Sequence, residues 1–186
     1  MQGFLRTAAP LGLLLLSLAP AAHAQQNSDD IAPPCLSRAQ ITASVNPAVM
    51  MAALPRCLQE GRTQEAIDLY NFAGVFSNFD RQRVADESAH GVYSAMKAVI
   101  GESMGEEAQT RFNDALRAQL APDKAPAYIA GVCKHAKRIG PPSYAPTYML
   151  NHGMAAFTGK GGGLVPDFNP QQGWQNTLSN YLKCPG

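Results

Sequence analysis

The sequence predicts an all-α protein, a compact array of six or seven short helices cross-linked by two disulfides. Three observations carry this. Apolar residues recur at intervals of three and four in successive segments that Pro or Gly separates. No stretch sustains the period-two alternation of a half-buried strand. The chain holds four cysteines, an even number, behind an N-terminus that reads as an export signal.

In chain order, Ser37 is placed to cap a short helix through Ala43. Asn46 followed by Pro47 is a helix start, a capping side chain before a residue whose fixed φ suits the first turn. That helix runs through Met50, Met51 and Leu54 to Leu58 and ends at Gly61, with a kink or break expected at Pro55. Ala66, Leu69, Tyr70, Ala73 and Phe76 share one face of a second helix from Thr63 to Phe76. Asp80 is expected to cap a third helix, whose stripe is Ala85, Ala89, Val92, Met96 and Val99, with a break from Gly101 to Gly105. Ala108 to Leu120 and Ile129 to Ile139 form the fourth and fifth, the latter stopped by Gly140, Pro141 and Pro142. A sixth runs from Pro146 to Phe157. Gly159 to Gly163 is a flexible loop, and a last helix starts near Asn169.

Export is read from Arg6, the apolar run Leu11 to Leu18, Pro20 and the small-x-small site Ala22-His23-Ala24. The run is short of the roughly 20 apolar residues that span a bilayer. The expected division is a signal peptide at 1–24, a flexible leader at 25–34 and a single helical domain at 35–186. Cleavage removes Arg6 and no acid, so the mature chain carries 14 basic and 14 acidic residues. That balance gives no global field for nucleic acid. No second apolar stretch suggests a membrane anchor after cleavage, and the expected location is periplasmic or secreted. The four cysteines allow three pairings. Cys35–Cys57 and Cys133–Cys184 are favoured because neighbouring helices usually pack together. Zinc is the competing reading, but zinc sites usually show closely spaced pairs and none occurs here.

The stretch Cys57 to Ala73 resembles the middle of a tetratricopeptide or Sel1-type helical hairpin, with Gly61, Ala66, Tyr70 and Ala73 at that repeat's turn and packing positions. The resemblance implies one hairpin and no function, since the motif does not recur and about three repeats are needed for a solenoid.

Four places could carry chemistry. Glu87 and His90 are three apart, and one such pair is half of a metal site in helical bundles. Glu87-Ser88 also invites comparison with the catalytic Glu-Ser of lytic transglycosylases, but their accompanying Gly-Leu-Met-Gln and Asn-Ala-Gly stretches are absent. The segment Pro141 to Met154 is stiffened by three prolines and offers Tyr144, Tyr148, Asn151 and His152 as a candidate binding surface, with Tyr148 and His152 on one helix face. Lys134 to Arg138 could hold an anion, although cations at a helix C-terminus also serve the macrodipole. Gly159 to Gly163 lacks the spacing of a phosphate loop. These readings favour a non-enzymatic exported binding protein, of immunity or inhibitor type, whose partner is another protein or an envelope component; no cofactor is expected. A small hydrolase or metal-dependent enzyme using Glu87 and His90 is the alternative.

Overall fold

The computed structural model describes residues 33–185. The expected signal peptide, and the expected leader up to residue 32, lie outside the described residues. Eight α-helices follow: α1 (Pro47–Gln59), α2 (Thr63–Arg83), α3 (Val92–Met104), α4 (Glu106–Gln119), α5 (Ala125–Ile139), α6 (Thr147–Leu150), α7 (Met154–Thr158) and α8 (Pro170–Asn176). Among the described residues there is no strand, only an isolated antiparallel bridge between Val84 and Leu164. The chain is all-α, and its cysteines pair as Cys35–Cys57 and Cys133–Cys184.

Local chemistry sets many boundaries. The Asn46 side chain accepts from the Val49 N–H at 3.0 Å, which occupies a donor that the first turn of α1 leaves free. Pro55 lies inside α1 without interrupting it. The α1–α2 turn closes through Arg62 N–H to Cys57 O (2.8 Å) and Gly61 N–H to Leu58 O (3.1 Å), with Gly61 at φ +71°. These two bonds satisfy carbonyls at the end of α1, and the positive φ is strained for any side chain with a Cβ. Gly140 ends α5 at φ +74°.

Three expected boundaries are corrected. The second helix does not stop at Phe76; α2 runs 21 residues to Arg83, so Asp80 is an interior residue and caps nothing. Its inner face continues through Phe72, Phe76 and Phe79, which keeps the helix packed past the expected end. The third helix therefore begins later, after a 3-10 turn at Glu87–Gly91. The sixth is two short helices, because Gly153 at φ +85° separates α6 from α7.

The core sits around α2. Phe76 and Phe79 each meet the ring of Trp174 edge-on at 5.8 Å. Phe72 meets His135 of α5 at 5.2 Å. The cysteine bridges fasten the first segment to α1 and α5 to the C-terminal segment.

Candidate functional site

The last turns of α2 hold a polar cluster inside this core. Asp80 is fully buried and both its oxygens are hydrogen-bonded. The hydroxyls of Tyr144 and Tyr148 both donate to its Oδ2 at 2.7 Å, and Arg83 donates to its Oδ1 at 2.7 Å. Arg83 also donates to the Tyr144 carbonyl at 2.9 Å, and its guanidinium lies 5.0 Å from the Phe79 ring and 5.1 Å from the Tyr144 ring. Ser77 Oγ stands 3.2 Å from the Tyr148 hydroxyl. A charge taken this far from water is tolerated only when paired and hydrogen-bonded, and here it is both. Burial pushes the Asp80 carboxyl above its ordinary value, outweighing the downward pull of Arg83 and the two hydroxyls. Burial and then the Asp80 charge push both tyrosines up, so they remain donors.

This cluster fixes the proline-stiffened segment against α2. Of the four residues expected to form a binding surface there, Tyr144 and Tyr148 are thus tied by their hydroxyls into the core. Asn151 and His152 are exposed. The expectation that Tyr148 and His152 share a helix face is corrected: α6 ends at Leu150, and Asn151 and His152 lie in the turn after it. That turn still brings Tyr148 and His152 to one place. Both border two adjoining depressions, and Asn151 borders one of them.

The more apolar depression is a groove of about 280 Å³ between α1 and α3. Its α1 wall is Ala48, Met51 and Ala52; its α3 wall is Val92, Ala95, Met96, Val99 and Ile100. The α3 stripe is the one the sequence marks out, but the fold leaves it half uncovered. Only Val92 and Gly101 of α3 are buried, and Val99 is 62% exposed. The second depression, about 480 Å³, continues over Ala48 and Ala52 to Val49, Thr147 and Asn151. Tyr144 lines neither; its ring stacks on Phe76 at 6.1 Å.

The other candidates stay apart. Glu87 is exposed, and His90 Nε2 lies 2.9 Å from the Val84 carbonyl. Among the described residues no group of three or more His, Cys, Asp or Glu side chains is arranged to hold a metal ion. In the basic run, His135 is buried between two partners: its Nε2 bonds the Ile41 carbonyl at 2.8 Å, and Arg138 donates to its Nδ1. Lys137 donates to the Pro185 carbonyl at 2.5 Å. The glycine loop, Gly159 to Gly163, is joined to the end of α2 through the Ala85 N–H to Gly163 O bond, 3.0 Å.

Comparison of the chain with family models, with curated proteins and with solved structures gave no match. No helix among the described residues is long and apolar enough to cross a membrane.

Sequence reasoning missed Asp80, Arg83 and Ser77 as the support of this surface, and the α1 wall of the groove. A signal for the first was present: Asp80 follows Phe76 and Phe79 in an apolar helix face, and Arg83 stands three residues on, a spacing that pairs charges within one helix.

Proposed function

We propose that this protein is an exported, non-enzymatic binding protein that captures an apolar helix face of a partner protein in the α1–α3 groove. The observation that carries the reading is the half-uncovered stripe of α3. Val92, Ala95, Met96, Val99 and Ile100 follow helical spacing over about 12 Å, the length of two turns. Facing them, Ala48, Met51 and Ala52 offer small and flexible side chains that let another helix approach. Two facing stripes of this kind match a partner that anchors residues at i, i+3 or i+4, and i+7. The groove, about 280 Å³, has room for a few inserted side chains. The exposed His152 and Asn151 at the rim supply polar contacts around an apolar centre. The two disulfides support an oxidising, extracytoplasmic place of action.

The test is affinity capture from an extract of the envelope with wild-type protein, Val99→Asp and the distant control Ala130→Asp on α5. Wild type and the control are expected to retain the same partner, and Val99→Asp to lose at least tenfold in affinity, about 1.4 kcal/mol. Equal retention by Val99→Asp would exclude the groove.

A further inference from the structure

We propose that the outer face of the last turns of α5, joined by Lys183 across the Cys133–Cys184 bridge, is a binding site for clustered phosphate groups. This site is separate from the α1–α3 groove and does not rest on it.

The neutrality of the mature chain hides an uneven distribution. Residues 25–123 carry eight basic and thirteen acidic side chains, whereas residues 124–186 carry six basic and one acidic. Four of those six cations gather in one place. Lys134, Lys137 and Arg138 stand three and four residues apart, so they share one face of α5, and all three are exposed. The fourth arrives from the C-terminal segment. The Cα atoms of Cys133 and Cys184 are 5.6 Å apart, which sets the Cα of Lys183 within about 13 Å of that of Lys134. Lys137 donates to the Pro185 carbonyl at 2.5 Å, which holds the two pieces of backbone side by side. Lys183 is exposed and takes φ +57°, a left-handed conformation that disfavours a side chain with a Cβ, and strain of this kind collects at functional positions.

No carboxylate pairs with these four charges among the described residues. Three elements are joined to this half of α5: the segment 35–46 through the His135–Ile41 bond, α2 through Phe72, and the C-terminal segment through the disulfide. The segment 35–46 has no acid, and neither does the chain from 124 to 166 or from 168 to 185. The acids of α2 are already matched, Glu65 by Arg62, Asp68 by Arg38 and Asp80 by Arg83. Asp167 precedes α8, and the helical stretch 170–181 runs roughly 18 Å between it and Lys183. The α5 macrodipole places about half a negative charge at this end, and a terminal carboxylate on Gly186 adds one more; four cations exceed both.

The donors suit phosphate. Arg138 uses one N–H on His135 Nδ1 and keeps the rest of its fork, which can meet two phosphate oxygens at once. A lone carboxylate would leave most of the face unmatched, whereas a row of phosphates brings a charge on each group. Such a row comes as a soluble phosphate chain or as the headgroups of a lipid surface.

The test titrates the full, oxidised chain with inorganic tripolyphosphate by calorimetry and, in a second arm, with phosphatidylcholine vesicles that contain phosphatidylglycerol. Lys134→Gln/Lys183→Gln removes two cations of the face; Lys124→Gln/Lys160→Gln removes the same charge elsewhere. The first pair is expected to lose at least tenfold in affinity and the second less than twofold. Lys134→Arg/Lys183→Arg keeps the charges and is expected to bind as wild type does, which separates lost binding from lost folding. Because the apolar run Leu11 to Leu18 can itself enter lipid, only the difference between wild type and the first pair counts in the vesicle arm. A tenfold loss with tripolyphosphate assigns a soluble phosphate chain, and a tenfold loss with vesicles assigns headgroups. A loss in neither arm, equal losses from the two Gln pairs, or failure of the Arg pair to bind would each overturn the proposal.

Discussion

Helix α2 carries two buried carboxylates that are solved in the same way at opposite ends. Asp68 accepts from Arg38 (Nε to Oδ2, 3.0 Å) and from the Tyr128 hydroxyl (3.0 Å), and Arg38 lies 5.2 Å from the Tyr128 ring. Asp80 accepts from Arg83 and from the hydroxyls of Tyr144 and Tyr148, with Arg83 over the Tyr144 ring. Each is an Asp–Arg–Tyr knot that fastens a remote segment to α2. They differ in what else holds that segment. Arg38 follows Cys35 by three residues and Tyr128 shares α5 with Cys133, so both partners of Asp68 come from parts of the chain that a disulfide also secures. The tyrosine partners of Asp80 sit in the proline-stiffened segment, which no disulfide reaches. They also differ in access to water. The side chain of Arg38 keeps 30% of its exposure and that of Arg83 only 10%. The wall of the candidate binding surface thus depends on the knot without covalent support.

The largest expected effect follows from that contrast. Asp80→Ala leaves Arg83 and two hydroxyls buried without their acceptor and is expected to cost about 3–5 kcal/mol. Asp68→Ala is expected to cost roughly 1–3 kcal/mol, because Arg38 can turn to water. Urea unfolding of the two variants compares them directly, and equal losses would remove the distinction.

Next comes the coupling to the disulfide. Replacing Cys35 and Cys57 by Ser opens a loop of sequence separation 22, worth about 3 kcal/mol on the chain-entropy account. Combined with Asp68→Ala, this change is expected to be non-additive, since both loosen the segment that carries Arg38. Combined with Asp80→Ala it is expected to add within about 0.5 kcal/mol. Non-additivity with Asp80→Ala instead would mean that the two knots act as one unit.

The smallest effect is in pH. Burial raises the Asp80 carboxyl in the folded chain above its unfolded value near 3.8, so the folded state holds the proton more readily. The resulting stabilisation is fully present below the unfolded value and is lost as pH rises through the folded one. The stability of wild type minus that of Asp80→Asn is therefore expected to fall as pH rises through that acidic window and then to level off. The half-buried Asp86 moves the other way: the Ser88 hydroxyl is the main cause that holds it below its usual range, which is why the difference from Asp80→Asn is the quantity to follow. A difference that rises with pH would show that Arg83 and the tyrosines outweigh burial.

How far the sequence could be read depended on whether a signal was local. The capping of α1 by Asn46 and the end of α5 at Gly140 rest on neighbouring residues, and both match the structure; the cysteine pairing, favoured among three possibilities, also matches. Asp80 was misread because an Asp before a helical pattern is a good N-cap by local rules. Its real surroundings, Tyr144 and Tyr148, are 64 and 68 residues away. The α6–α7 break was hidden for a different reason: a single Gly within a helical pattern is tolerated, and only its φ of +85° makes Gly153 a boundary.

The sequence alone determined the helical class and which face of each main helix is apolar, because periodicity and capping are properties of nearby residues. Only the tertiary structure decided which apolar faces found a cover. The α2 face met α1, α5 and Trp174, while the α3 stripe was left open around Val99 and α7 around Phe157. A repeating pattern records that a face avoids water, but the element that shields it, or fails to, is set by contacts across long stretches of chain.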